Sequence, residues 1–91
     1  MLRRPHDGHD AAQLRGMATH PAHARRGIGT AILRFVETLV AHDWRLSLAW
    51  CNARTSALTF YERAGWQIAS AEFDVPDVGP HRRMTRQLRV P

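Results

Sequence analysis

The chain has 91 residues, 44% of them hydrophobic, with 13 arginines, no lysine, 8 acidic residues and a formal charge of +5. That length allows one domain with a modest core, and the apolar fraction excludes wholesale disorder. No apolar run approaches the ~20 residues that a membrane-crossing helix needs, and a positive balance without an aromatic–basic motif or a helix-turn-helix pattern does not select nucleic acid.

Residues 4–13 are polar and contain Pro5 and Gly8, which predicts a loop. Gln13 to Thr19 reads as a strand ended by His20-Pro21. From Gly27 to about His42 the period changes. Ile28, Ala31, Ile32, Phe35, Val36, Leu39 and Val40 recur at three- and four-residue spacing, which predicts a helix of about four turns. Arg34, Glu37 and Thr38 fall toward its polar side.

Arg45 to Cys51 reads as a strand able to bury both faces. A second helix is predicted over Thr55–Ala64, with Thr55 or Ser56 as its cap and Gly65 at the C-terminal capping position. Asn52 could cap it as well. Ala57, Leu58, Phe60, Tyr61 and Ala64 form its apolar face. Gln67–Val75 and Arg82–Val90 read as two strands, separated by a loop over Pro76–His81. The order is β-α-β-α-β-β, an α/β domain. The first two strands, joined through a helix, are expected to run parallel.

The stretch His23-Ala24-Arg25-Arg26-Gly27-Ile28-Gly29-Thr30 is the most informative. It follows the first strand and opens the first helix. Amides in the first turn of a helix have no intrahelical acceptor, and the helix dipole adds partial positive charge there. Glycines let a ligand approach the backbone, and Arg25 and Arg26 add formal charge. A phosphorylated ligand is the expected occupant.

The remaining reactive side chains read more plainly. Cys51 is the only cysteine, so there is no intrachain disulfide. Its place on a buried strand predicts an inert thiol. The start, Met1-Leu2-Arg3-Arg4-Pro5, lacks the apolar core of a signal peptide, so a reducing cytoplasm is the expected location. Among the six histidines, His6 and His9, and His20 and His23, stand three apart. No cysteine or acidic group completes a tetrahedral set with them, and no metal site is expected.

At this point the chain resembles the GCN5-related N-acetyltransferase (GNAT) superfamily. Leu14–Thr30 is similar to the family's central strand and acetyl-CoA pyrophosphate loop. Asn52-Ala53-Arg54-Thr55-Ser56-Ala57-Leu58-Thr59-Phe60-Tyr61-Glu62-Arg63-Ala64-Gly65-Trp66 is similar to the N-A-R-x-S-A-x-x-F-Y-E-R-x-G-F segment of many members. Gly79-Pro80-His81-Arg82-Arg83-Met84 is similar to a G-P-H-x-x-M hairpin end. The resemblance implies a partial GNAT-like fold with a mixed, splayed sheet. Residues 13–91 would form the acetyl-CoA-binding domain and residues 1–12 a polar loop or strand remnant. The likeness covers only the C-terminal part of the family fold, and the opening strand and helices have no counterpart before Gln13.

By that resemblance, the main chain of Met17, Ala18 and Thr19 would contact the pantetheine arm of acetyl-CoA, with Asn52 close by. Arg25, Arg26, Gly27, Ile28, Gly29 and Thr30 would hold the pyrophosphate. Tyr61 would protonate the departing thiolate. Ala24 stands where the family loop usually has Gln or Arg, a loss worth about 1.5–3 kcal/mol that Arg25 and Arg26 can offset. Acetyl-CoA is the implied co-substrate, a small-molecule or protein primary amine the implied acceptor, and no general base is identified. The alternative is a non-catalytic remnant serving as a dimerisation or interaction module. Half a sheet exposes an edge and apolar surface, so a homo-oligomer is expected in either case.

Overall fold

The structure is a computed structural model that describes residues 2–15 and 27–91. Its elements are β1 (Leu2–Arg3), β2 (Ala12–Gln13), α1 (Ile28–His42), β3 (Leu48–Arg54), a 3-10 turn (Thr55–Ala57), α2 (Leu58–Arg63), β4 (Gln67–Ile68), β5 (Phe73–Val75) and β6 (Gly79–Gln87). Among the described residues they form one open mixed sheet in the order β1-β2-β3-β6-β4, with β5 also on β6. The α/β fold expected from the sequence is present. β2 and β3, joined through α1, run parallel as expected.

Residues 4–11, expected as a loop, instead extend the β1–β2 pair into a hairpin. His6 and His9 exchange backbone hydrogen bonds of 3.0 and 2.9 Å, and Asp7 and Gly8 between them have φ of 48° and 80°. Two successive left-handed residues make the turn that matches strand twist, and Asp-Gly is its preferred pair.

β3 starts at Leu48 rather than Arg45 and runs on to Arg54. Arg45 has φ 57°, which no strand accommodates, and the Leu46 amide donates to the Val40 carbonyl at 3.1 Å, closing the exit from α1. β3 then pairs with β6 residue for residue from Leu48↔Gln87 to Arg54↔His81. The predicted Pro76–His81 loop is shorter than expected. The turn closes with the Val78 amide on the Val75 carbonyl at 3.0 Å, and Gly79, Pro80 and His81 already belong to β6. The predicted Gln67–Val75 strand is split into β4 and β5, both on β6.

Both helices lie on one face of the sheet. Leu33 of α1 and Tyr61 of α2 share a core with Ala49, Cys51, Ala53, Trp66 and Met84. Val40 extends it over Ala12 and Leu46. Leu48 and Trp50, of opposite parity along β3, face the other way with Ala11. The buried stripe of α1 is rotated from the predicted one: Leu33 and Val40 are fully buried, while Ile32 and Phe35 are 50% and 69% exposed.

Glu37, expected on the polar side, is buried. Its carboxylate accepts from Arg34 Nη1 at 2.8 and 3.0 Å and from Arg86 Nε at 3.0 Å. Buried carboxylates persist only when paired and hydrogen-bonded. These two arginines supply that, and Arg86 anchors Glu37 to β6.

Removing Glu37 strands Arg86 beside apolar neighbours, whereas Arg34 is half-exposed. Glu37→Ala is therefore expected to lower unfolding free energy by about 2–3 kcal/mol and Arg34→Ala by less than about 1 kcal/mol. Urea denaturation of the two variants checks the ranking.

Candidate functional site

The first part of the site is the start of α1. Gly27 precedes the helix with φ 74°, and a Cβ placed there would meet nothing within 4 Å. The first intrahelical bond runs from the Ala31 amide to the Gly27 carbonyl at 3.0 Å. No side chain caps this end, and the first turn holds no acidic residue. Gly29 is buried and Thr30 exposed. The first-turn amides thus have no acidic neighbour within the turn, a fit for a phosphate group. Met17, Ala18, Thr19, Arg25 and Arg26 lie outside the described residues.

The second part is the end of the β2–β3 ladder. The Leu14 amide donates to the Trp50 carbonyl at 2.8 Å. Beyond that bond β3 continues to Arg54, and among the described residues no strand pairs with its β2-side edge. Backbone groups left at such an edge need another partner.

Tyr61 reaches this place from α2. Its ring packs edge-on against Trp66 with centroids 5.5 Å apart and against Phe60 at 5.1 Å. Its hydroxyl lies close to the Cys51 thiol, one residue past Trp50. Burial raises the Tyr61 pKa above its ordinary 10.0, and the neighbouring Cys51 adds to that. Burial also pushes the Cys51 thiol up to about 12, with the Tyr61 hydroxyl pulling the other way. Both groups hold their protons at neutral pH. Cys51 is therefore a poor nucleophile, and Tyr61 carries a neutral phenol.

Asn52 follows on the opposite face, exposed. It sits across from Arg83, whose Nε donates to its Oδ1 at 3.4 Å. Asn52 caps nothing: the 3-10 turn and α2 both begin without a side-chain cap, and neither Thr55 nor Ser56 serves as one. Gly65, with φ 96°, does sit where the helix ends. His81 turns out to be structural, its Nδ1 bound to the Gly79 carbonyl at 2.8 Å and its ring stacked on Phe73. Among the described residues no three histidine, cysteine or acidic side chains gather as a metal site, and no helix is long and apolar enough to cross a membrane.

The acetyltransferase (GNAT) domain model matches residues 1–68. A Bacillus subtilis (strain 168) protein described as an uncharacterized N-acetyltransferase, YitI, is 33% identical over 80 residues, which is 88% of this chain. The chain belongs to the GNAT superfamily. It spans about half the length of that curated relative, 53%. The GNAT match takes in the β1–β2 hairpin as well as α1, β3 and α2.

Sequence reasoning did not single out Gln13, His6 or Arg83 of this GNAT domain. Among the described residues, Gln13 Oε1 and His6 Nδ1 are buried without a hydrogen-bond partner, as is Trp66 Nε1. The Arg83 guanidinium lies 4.3 Å from the Trp50 ring centroid. Alternation along β3 and β6 put Trp50, Asn52 and Arg83 on one face, but only the register showed that Arg83 stands opposite Asn52.

The raised Cys51 pKa has a consequence for stability. Unfolding returns the thiol to its ordinary 9.0, so its contribution is complete below pH 9 and is lost as pH rises toward about 12. Thermal melts from pH 8 to 11 should show Tm falling above pH 9, with a shallower fall in Cys51→Ala.

Proposed function

We propose that this GNAT domain binds acetyl-CoA as co-substrate and transfers the acetyl group to a primary amine. The observation that carries the reading is Tyr61, buried in one core with Cys51 of β3. The uncapped start of α1 supports it. The amides of Ile28, Gly29 and Thr30, with Gly27 leaving room, would hold the pyrophosphate, and Arg25 and Arg26 would add charge. Main-chain groups of Met17, Ala18 and Thr19 and the free β3 edge near Asn52 would bind the pantetheine arm. The domain in this reading is residues 13–91, with the hairpin before it as one wall.

The bound thioester supplies an activated acetyl carbonyl and a thiolate leaving group. The amine nitrogen forms the new C–N bond and the C–S bond breaks. Tyr61 gives its proton to the departing sulfur, and the proton shed by the nitrogen returns through water to Tyr61. A phenol suits this step because its ordinary pKa, about 10, leaves it protonated at neutral pH and matched to a departing thiolate. An acid positioned on the leaving group contributes about 10²–10⁴-fold to rate.

A second reading rests on a separate observation. Ile32 and Phe35 expose one side of α1, and β1 is a short, exposed edge strand. Apolar side chains on a helix and an open sheet edge favour association with a second copy. A dimer by light scattering that Phe35→Asp converts to monomer supports this reading; a wild-type monomer at all concentrations removes it.

Titration calorimetry with CoA tests the first reading, which fails if no heat appears at millimolar ligand. Tyr61→Phe should retain CoA binding and lower kcat by about 10²-fold or more, followed by free-thiol release. Gly27→Val should weaken CoA binding instead, because a β-branched residue resists positive φ at the loop.

A further inference from the structure

Both helices cover the sheet face that carries Cys51 and Tyr61. A second substrate can reach the end of the β2–β3 ladder from the other face, where Asn52 is exposed. That face carries Gln13, Trp50, Asn52, Arg54 and Arg83 by register. The Trp50 indole donates to the Arg4 carbonyl at 2.9 Å, which fixes the ring as a platform. The Arg83 guanidinium lies over that platform and spends its Nε on Asn52. Stacking on an aromatic face fixes the plane of a guanidinium.

With Nε committed, the two Nη groups have no partner among the described residues, and Arg83 makes no ion pair there. Arg54 adds a second positive charge. Among the described residues no carboxylate forms an ion pair with Arg83. A stacked, pre-oriented guanidinium with a free fork matches a planar anion in a bidentate contact. The same charge disfavours an acceptor that is purely cationic.

We infer that the face bearing Trp50, Asn52 and Arg83 is the acceptor subsite, and that Arg83 selects primary amines carrying a carboxylate. Arg83 takes the carboxylate, and the amine extends along the face past Asn52. The inference rests on the acetyl-transfer reading and names its substrate class.

The test compares ω-amino acids with carboxamides of the same chain length, acetyl-CoA being the donor and free-thiol release the readout. Several methylenes between the groups keep the amine pKa alike in each pair. The carboxylates should show kcat/KM at least about tenfold higher, a difference of about 1.4 kcal/mol. Arg83→Gln should bring the ratio close to one by raising KM for the carboxylates, with Arg83→Lys in between and CoA binding retained in both. Carboxamides turned over as well as carboxylates, or a ratio unchanged in Arg83→Gln, overturns the assignment. CoA binding without turnover of any amine in the panel overturns it too. Absence of CoA binding in the wild type is a different failure, that of the acetyl-transfer reading itself.

Discussion

Everything at the site depends on the register of β3 against β6. The two pair along the whole length of β3, Leu48 to Arg54. On its other side the described part of β2 pairs with β3 as far as the Trp50 carbonyl. A strand held by its neighbours has a fixed geometry, and the side chains along it keep fixed faces. Cys51 and Asn52 point to opposite faces because strand side chains alternate. One residue step therefore separates a dry face closed by two helices from an accessible polar one.

The rigidity extends through Arg86. Its Nε holds Glu37 of α1, and its Nη1 donates to the Gly65 carbonyl at 3.0 Å, at the end of the helix that carries Tyr61. Gly65 is required there twice over. Its φ of 96° is in the left-handed range, and a Cβ would collide with the Arg86 guanidinium. One β6 side chain thus links the helix that opens at Gly27 to the helix that presents Tyr61. The link is a hydrogen-bonded carboxylate–guanidinium contact shielded from water, and it holds position better than an exposed ion pair does.

The elements legible in the sequence were those whose signals are local. The period of α1, the Gly65 stop and the parallel β2–β3 relation follow from spacing and connectivity. Boundaries failed where tertiary partners decided them. Arg45 looked like the first residue of a strand until its left-handed φ removed it. Gly79-Pro80-His81 has turn composition, yet pairing with β5 draws it into β6. Glu37 looked solvent-facing because its neighbours on the helix gave no hint of Arg86, 49 residues away. Ile32 and Phe35 looked buried because a wide apolar stripe does not reveal which of its edges meets the sheet. At the site, Tyr61 and Asn52 were marked by resemblance, and the described part of the proposed phosphate-binding turn, Gly27 to Thr30, was marked by the helix start as well. Arg83 was not, since its meaning comes from what lies across the strand.

The separation of faces also sorts the electrostatics of the proposed reaction. Tyr61 lies among Trp66, Phe60 and Cys51 on the closed side, where burial raises its pKa and keeps the phenol neutral. An anion-selecting arginine needs the reverse: enough water that the empty site is not a buried charge, and enough support that its fork keeps one orientation. Arg83 meets both conditions, half-exposed, stacked on Trp50 and tied to Asn52.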